Sequence, residues 1–157
     1  MTRPPNGFLS TALLAGVVAG ALDIAAAVIQ NGQVTAQVVF QSVASGWLGA
    51  EAYRGGWSTA WLGLASHFAM MFGIAAIYVL LAMMLPFLRR HWLVSAALWG
   101  VLVWVVMTWV VVPLSASPLP SPDIAAAIRG VLTHVFAVGL PMAAIVRWRM
   151  GGGHESV

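Results

Sequence analysis

Apolar residues in this chain gather into four long runs, at residues 8–30, 59–85, 92–112 and 123–146, separated by short polar stretches. Each run is long enough to cross a hydrocarbon core of about 30 Å, which takes roughly 20 residues of helix. Their ends carry helix punctuation. Gly55-Gly56 precedes the second run, with Ser58 as its candidate N-cap, and Pro86 follows it. Pro113 closes the third run. Ser121-Pro122-Asp123 opens the fourth with a serine cap, a proline at the first helical position and an acid at the positive end of the helix dipole. Between the first two runs, residues 33–47 place Gln33, Gln37, Gln41 and Ser45 four apart, with Val34, Val38, Val43 and Trp47 turned elsewhere. That spacing predicts a one-sided helix with an uncharged polar face. It suits a cover helix on the outer surface or a re-entrant segment against the bundle, and the cover helix is the simpler expectation. The expected fold is all-α: one domain, a four-transmembrane-helix bundle with an extra amphipathic helix in the first outer loop.

Composition agrees with a membrane solvent. The chain is 61% hydrophobic and 7% charged, against roughly 45–50% and about 25% in ordinary globular proteins. A net charge of +3 is too diffuse for a nucleic-acid partner, because the arginines stand singly or in pairs at the ends of apolar runs. Arg3, Arg89, Arg90, Arg147 and Arg149 fall at the amino terminus, the second loop and the carboxyl tail, whereas the first and third loops hold only Arg54. The positive-inside rule then places both termini in the cytoplasm, with Trp47, Trp57 and Trp61 at the outer interface and Trp92 and Trp148 at the inner one. Arg3, the first apolar run and Ala25-Ala26-Ala27 have the outline of a secretory signal, but the length of the run and Asp23 inside it favour a retained span. Without cysteine, disulfides, thiolate-bound metals and thiol redox chemistry are excluded.

Three ionisable side chains, Asp23, His67 and His134, lie inside separate apolar runs. An acid at mid-bilayer costs about 2.5–3.5 kcal/mol on insertion scales, so such groups face protein or water and are functional candidates. Counted inward from the outer ends at 1.5 Å per residue, Asp23 lies about 10 Å deep, His67 about 12 Å and His134 about 16 Å. Arg129 lies about 9 Å deep and Thr108 about 6 Å. Asp23 continues the face of Gly16 and Gly20, and His134 that of Gly130 and Ala137; small residues of this kind mark close helix contacts. Asp23, His67 and His134 are therefore expected to approach one another beneath the loop helix. Arg129 sits on another side of its helix from His134 and has the option of snorkelling outward. His91 and His154 read as ordinary surface residues.

The leading expectation is a non-enzymatic membrane protein whose Asp/His cluster is structural or accessory to an assembly. Its partners are then the bilayer and another membrane protein or a second copy. The alternative is a small proton-coupled transporter with Asp23 as carrier and the histidines as relay, since these groups exchange protons near physiological pH. Small four-helix multidrug exporters also carry an acid in the first span. They include dual-topology proteins, however, and this chain has a fixed arginine bias and no evident inverted repeat. In a third reading His67 and His134 ligate a metal or a haem iron from facing helices, although no carboxylate-rich or short His-x-x-x-His spacing accompanies them. No Gly-x-Ser-x-Gly elbow, His-Glu-x-x-His or phosphate loop points to hydrolysis.

Five stretches carry a resemblance: Ala21-Leu22-Asp23-Ile24, Gln41-Ser42-Val43-Ala44-Ser45-Gly46, Gly63-Leu64-Ala65-Ser66-His67-Phe68, Val111-Val112-Pro113-Leu114-Ser115 and Thr133-His134-Val135-Phe136-Ala137-Val138-Gly139-Leu140-Pro141. With them the chain resembles a family of small uncharacterised four-helix bacterial inner-membrane proteins and, more remotely in its hydropathy layout, the YagU-like proteins. The resemblance implies a multi-pass location in the bacterial inner membrane and no particular chemistry.

Overall fold

The computed structural model describes residues 6–150 and is built of helices. Four are long and apolar enough to cross a membrane: α1 (Asn6–Gln30), α3 (Gly56–Met84), α5 (Trp92–Leu114) and α6 (Ile124–Met150). Between them lie α2 (Ala36–Leu48), followed by a 3-10 turn at Gly49–Arg54, and the short α4 (Pro86–Arg90). The all-α helical bundle stands, with spans a few residues longer than hydropathy alone predicts. Arg3 and His154 lie outside the described residues.

The punctuation differs in detail from the sequence reading. Helix α3 begins at Gly56, two residues before Ser58, and has no side-chain cap. Asp123, not Ser121, caps α6: its carboxylate accepts the Ala126 N–H at 2.7 Å. An aspartate at the N-cap both satisfies an orphan donor and meets the positive end of the dipole, so it displaces the serine from that role. Pro113 sits in the last turn of α5 and the helix runs one residue beyond it. Helix α2 starts at Ala36 behind a Thr35 cap, which leaves Gln33 outside it.

Two antiparallel pairs make the bundle. Helix α1 crosses α3 with Gly16 against Phe72 and Gly20 against Phe68. Helix α5 crosses α6 with Gly100 against the Val135 backbone and Gly139 against the Ala96 carbonyl. The pairs join where α1 lies along α6, from Thr11 beside Arg149 at one end to Gln30 beside Thr133 at the other, and where Tyr78 of α3 meets Ser95 of α5. The interior is mostly small: Ala12, Ala15, Ala19, Ala75, Ala82, Ala96 and Ala143 are all buried. Large apolar residues face outward instead, Leu13, Ile77, Leu98 and Phe136 among them. Lipid tails are as apolar as leucine, so helices gain nothing by hiding leucine from them; they gain by close backbone approach. One end of the bundle carries Arg89, Arg90, Arg147 and Arg149, drawn together as Arg89 Nη1 donates to the Met150 carbonyl. The opposite end is capped by α2.

Gly63 is where α2 meets α3, and a Cβ there would collide with the Phe40 carbonyl. Gly63→Val should therefore lower stability by about 1–3 kcal/mol, the usual cost of overpacking a close contact. The matching substitution at Gly73, which has open space around it, should be close to neutral. Thermal unfolding of the two variants in one detergent checks this, and equal melting points would refute the close crossing.

Candidate functional site

The polar positions singled out by sequence separate into tied and untied groups. His67 is buried on α3, and its Nε2–H donates to the Gly20 carbonyl of α1 at 3.0 Å. A carbonyl only accepts, so the geometry assigns a proton to Nε2. The Gly20 oxygen is reachable because Gly20 has no side chain, and the ring of Phe68 lies against that same glycine. The glycine therefore serves packing and hydrogen bonding together. The edge of the His67 ring also meets Phe68, with centroids 5.4 Å apart.

His134 is half-buried at the start of a π-helical segment, His134–Gly139, and its Nδ1–H donates to the Gly130 carbonyl of its own helix at 2.9 Å. Local back-bonding of this kind competes with the regular ladder, and π segments interrupt helices at packed or functional positions. Here the segment carries Val135 and the buried Gly139 into contact with Gly100 and Ala96 of α5. Thr108 is half-buried in a second π segment, Met107–Val111. Arg129 is exposed, in keeping with an outward snorkel.

Asp23 is half-buried one turn beyond Gly20, so it shares the stretch of α1 that holds His67. No hydrogen bond or ion pair engages it among the described residues. No group of three or more His, Asp or Glu is arranged to hold a metal among the described residues. For a bis-histidine site, the nitrogens left over are Nδ1 of His67 and Nε2 of His134, since the other two are engaged by carbonyls.

The glutamine face turns progressively inward along α2. Gln33 is exposed and precedes α2, and Gln37 is half-buried. Gln41 and Ser45 are buried, at 2% and 0% exposure. Gln41 Nε2 donates to the Gly56 carbonyl at 2.9 Å and to Thr59 Oγ1 at 3.2 Å. Ser45 Oγ donates to the Ser42 carbonyl at 2.7 Å and lies 3.3 Å from Ser117 Oγ on the α5–α6 connection. That connection is further pinned by Ala116 N–H, which donates to the Gly46 carbonyl at 2.9 Å. The polar side of α2 is thus spent on holding α3 and the 115–117 segment.

Sequence reading missed two interior ties. Tyr78 and Ser95 share a buried hydroxyl–hydroxyl bond of 2.6 Å, with the Trp99 ring 5.2 Å from that of Tyr78. Arg149 Nε donates to the buried Thr11 at 3.1 Å and Nη2 to Ser10 at 2.9 Å. Lone Tyr, Ser and Thr in apolar runs are the same signal as Asp23 in weaker form, because their uncharged side chains are cheaper to bury. Trp99 Nε1 is buried without a hydrogen-bond partner among the described residues.

His67→Phe keeps an aromatic side chain but removes the Nε2 donor along with Nδ1. It should cost about 0.6 kcal/mol, the average for interhelical hydrogen bonds in membranes, and at most about 1.7 kcal/mol. The loss would appear as a shift in denaturation by SDS titration, and an unshifted curve would remove the bond from the forces holding α1 to α3. In comparisons with known proteins, no family model, no curated protein and no solved structure matches this chain.

Proposed function

We propose that this chain is a non-enzymatic, multi-pass protein of the bacterial inner membrane with a structural or accessory role, its interior polar residues serving as ties between helices. One observation carries the reading. The buried polar side chains Thr11, Gln41, Ser45, His67 and Ser95 each end on a partner within the protein. Catalytic or transport sites keep convergent polar groups free for a substrate. These groups instead join α1 to α6, α2 to α3, α2 to the 115–117 segment, α1 to α3 and α3 to α5. The surface that such a protein offers is its lipid-facing exterior, which is where a second membrane protein or a second copy would bind.

The four arginines at one end support an orientation with both chain termini in the cytoplasm. A fluorescent-protein fusion at the carboxyl terminus should then be bright and an alkaline phosphatase fusion inactive. The opposite pair of results would invert the topology.

A second reading, a small proton-coupled transporter, is favoured by Asp23 alone, the one ionisable side chain in α1, half-buried and unengaged among the described residues. His67 and His134 would form its relay. Vesicles containing the protein and an internal pH dye separate the readings. Under the structural reading, proton uptake matches that of empty vesicles and Asp23→Asn leaves the melting temperature unchanged. Protein-dependent uptake that disappears in a folded Asp23→Asn variant would replace the structural reading with the transporter.

A further inference from the structure

The polarity of α2 is inside out for a helix lying on an aqueous surface. An interfacial helix turns its polar face to water and its apolar face to lipid or protein. Here Gln41 and Ser45 point into the protein, while Trp47 is 71% exposed and Val43 flanks it on the outward side. Polar groups on the outward side do not reach for water either. Ser42 Oγ donates to the Val39 carbonyl of its own helix at 2.7 Å. Trp47 Nε1 donates to Ser66 Oγ at 3.1 Å, and that hydroxyl in turn donates to the Leu62 carbonyl at 2.8 Å. Gln41, Ser42, Ser45 and Trp47 are thus satisfied internally beneath an apolar exterior, which is what a segment needs where water is scarce.

Depth along α3 agrees for the C-terminal part of α2, whereas Gln41 reaches Gly56 and Thr59 at the level of Trp57. Trp57 and Trp61 are exposed near its start with ring centroids 6.0 Å apart, and exposed tryptophans of this kind mark the headgroup level. The Trp47–Ser66 bond lies five residues past Trp61, about 7–8 Å further along the helix axis. The crossing at Gly63 also lies past that tryptophan pair. Water returns on either side of the segment: Gln33 is exposed before it, and after it Arg54 and Glu51 form a 3.0 Å ion pair with side chains 80% and 70% exposed.

The geometry points to Ala36–Leu48 being a re-entrant helix inserted in the apolar layer, with lipid acyl chains as the occupant of its outward face. It enters and leaves on the same side of the membrane. It packs on α3 at Gly63, while the end of α1 is tied to α6 through Gln30 and Thr133. The inference stands whether the protein proves to be structural or a transporter.

Because the chain has no cysteine, single cysteines carry a nitroxide label without background. Ala36→Cys and Val43→Cys leave the Trp47–Ser66 bond intact, and Trp47→Cys adds the most exposed position of the face. Tyr53→Cys serves as the water reference and Ile77→Cys as the lipid reference, both positions being exposed. In vesicles of phosphatidylethanolamine and phosphatidylglycerol, collision with oxygen, which concentrates among acyl chains, is compared with collision with a water-soluble nickel chelate. At residues 36 and 43 oxygen should dominate, as at residue 77, and the ratio should invert at residue 53. Nickel-dominated collision at both 36 and 43 would put α2 at the aqueous surface and overturn the inference. Low collision with both reagents, together with spin–spin broadening that fades on dilution with unlabelled protein, would make a second copy the occupant and overturn it equally. Helical circular dichroism and a wild-type melting temperature qualify each variant before it is scored.

Discussion

A hydrogen-bond donor stranded in hydrocarbon has no water to fall back on, and that constraint organises this molecule. Helices satisfy their own backbone, so the remaining demand comes from a handful of side chains and from the helix ends. His67 meets it by donating to a carbonyl on a neighbouring helix, Tyr78 by pairing with Ser95, and Gln41 by reaching the opening turn of α3. Each bond is modest in itself, since interhelical hydrogen bonds in membranes average about 0.6 kcal/mol. Their geometric effect is larger. A donor that has one acceptor within reach holds the register between two helices that apolar packing alone would leave free to slide.

Close approach is the second half of the same logic. With lipid tails outside and alanines inside, no hydrophobic gradient drives the helices together, and dispersion at short range has to do it. The crossings therefore fall at glycines. Gly63 lets α2 rest on α3, and Gly139 brings α6 against the Ala96 carbonyl. Gly20 does both tasks, taking the Phe68 ring against its backbone and exposing the carbonyl that receives the His67 proton. The π segment at His134–Gly139 brings Val135 and Gly139 against Gly100 and Ala96 of α5.

Helix α2 gives the bundle its asymmetry. At the end opposite the arginines, α2 packs on α3 at Gly63 and clamps the Ser115–Ser117 segment through Ser45 and the Gly46 carbonyl. Polar chemistry on α2 thus serves assembly of the fold. Asp23 has no hydrogen bond or ion pair among the described residues, and it is the position at which a proton-carrying role would be found.

Much of this was legible in the chain before any coordinates. Run length and composition determine four membrane spans and an all-α bundle, because a helix of about 20 apolar residues has no other comfortable solvent. Arginines and tryptophans mark the ends, and a four-residue polar spacing marks an extra helix in the first connection. Periodicity could not say which way that helix faces: Gln41 and Ser45 look equally suited to water and to protein, and only packing against Gly56, Thr59 and Ser117 decides for protein. Depth counting likewise set Asp23, His67 and His134 at similar levels, but not whom each would meet. Tertiary structure gave His67 to the Gly20 carbonyl and His134 to its own helix, because a backbone acceptor already held in place costs less conformational entropy to reach than another side chain.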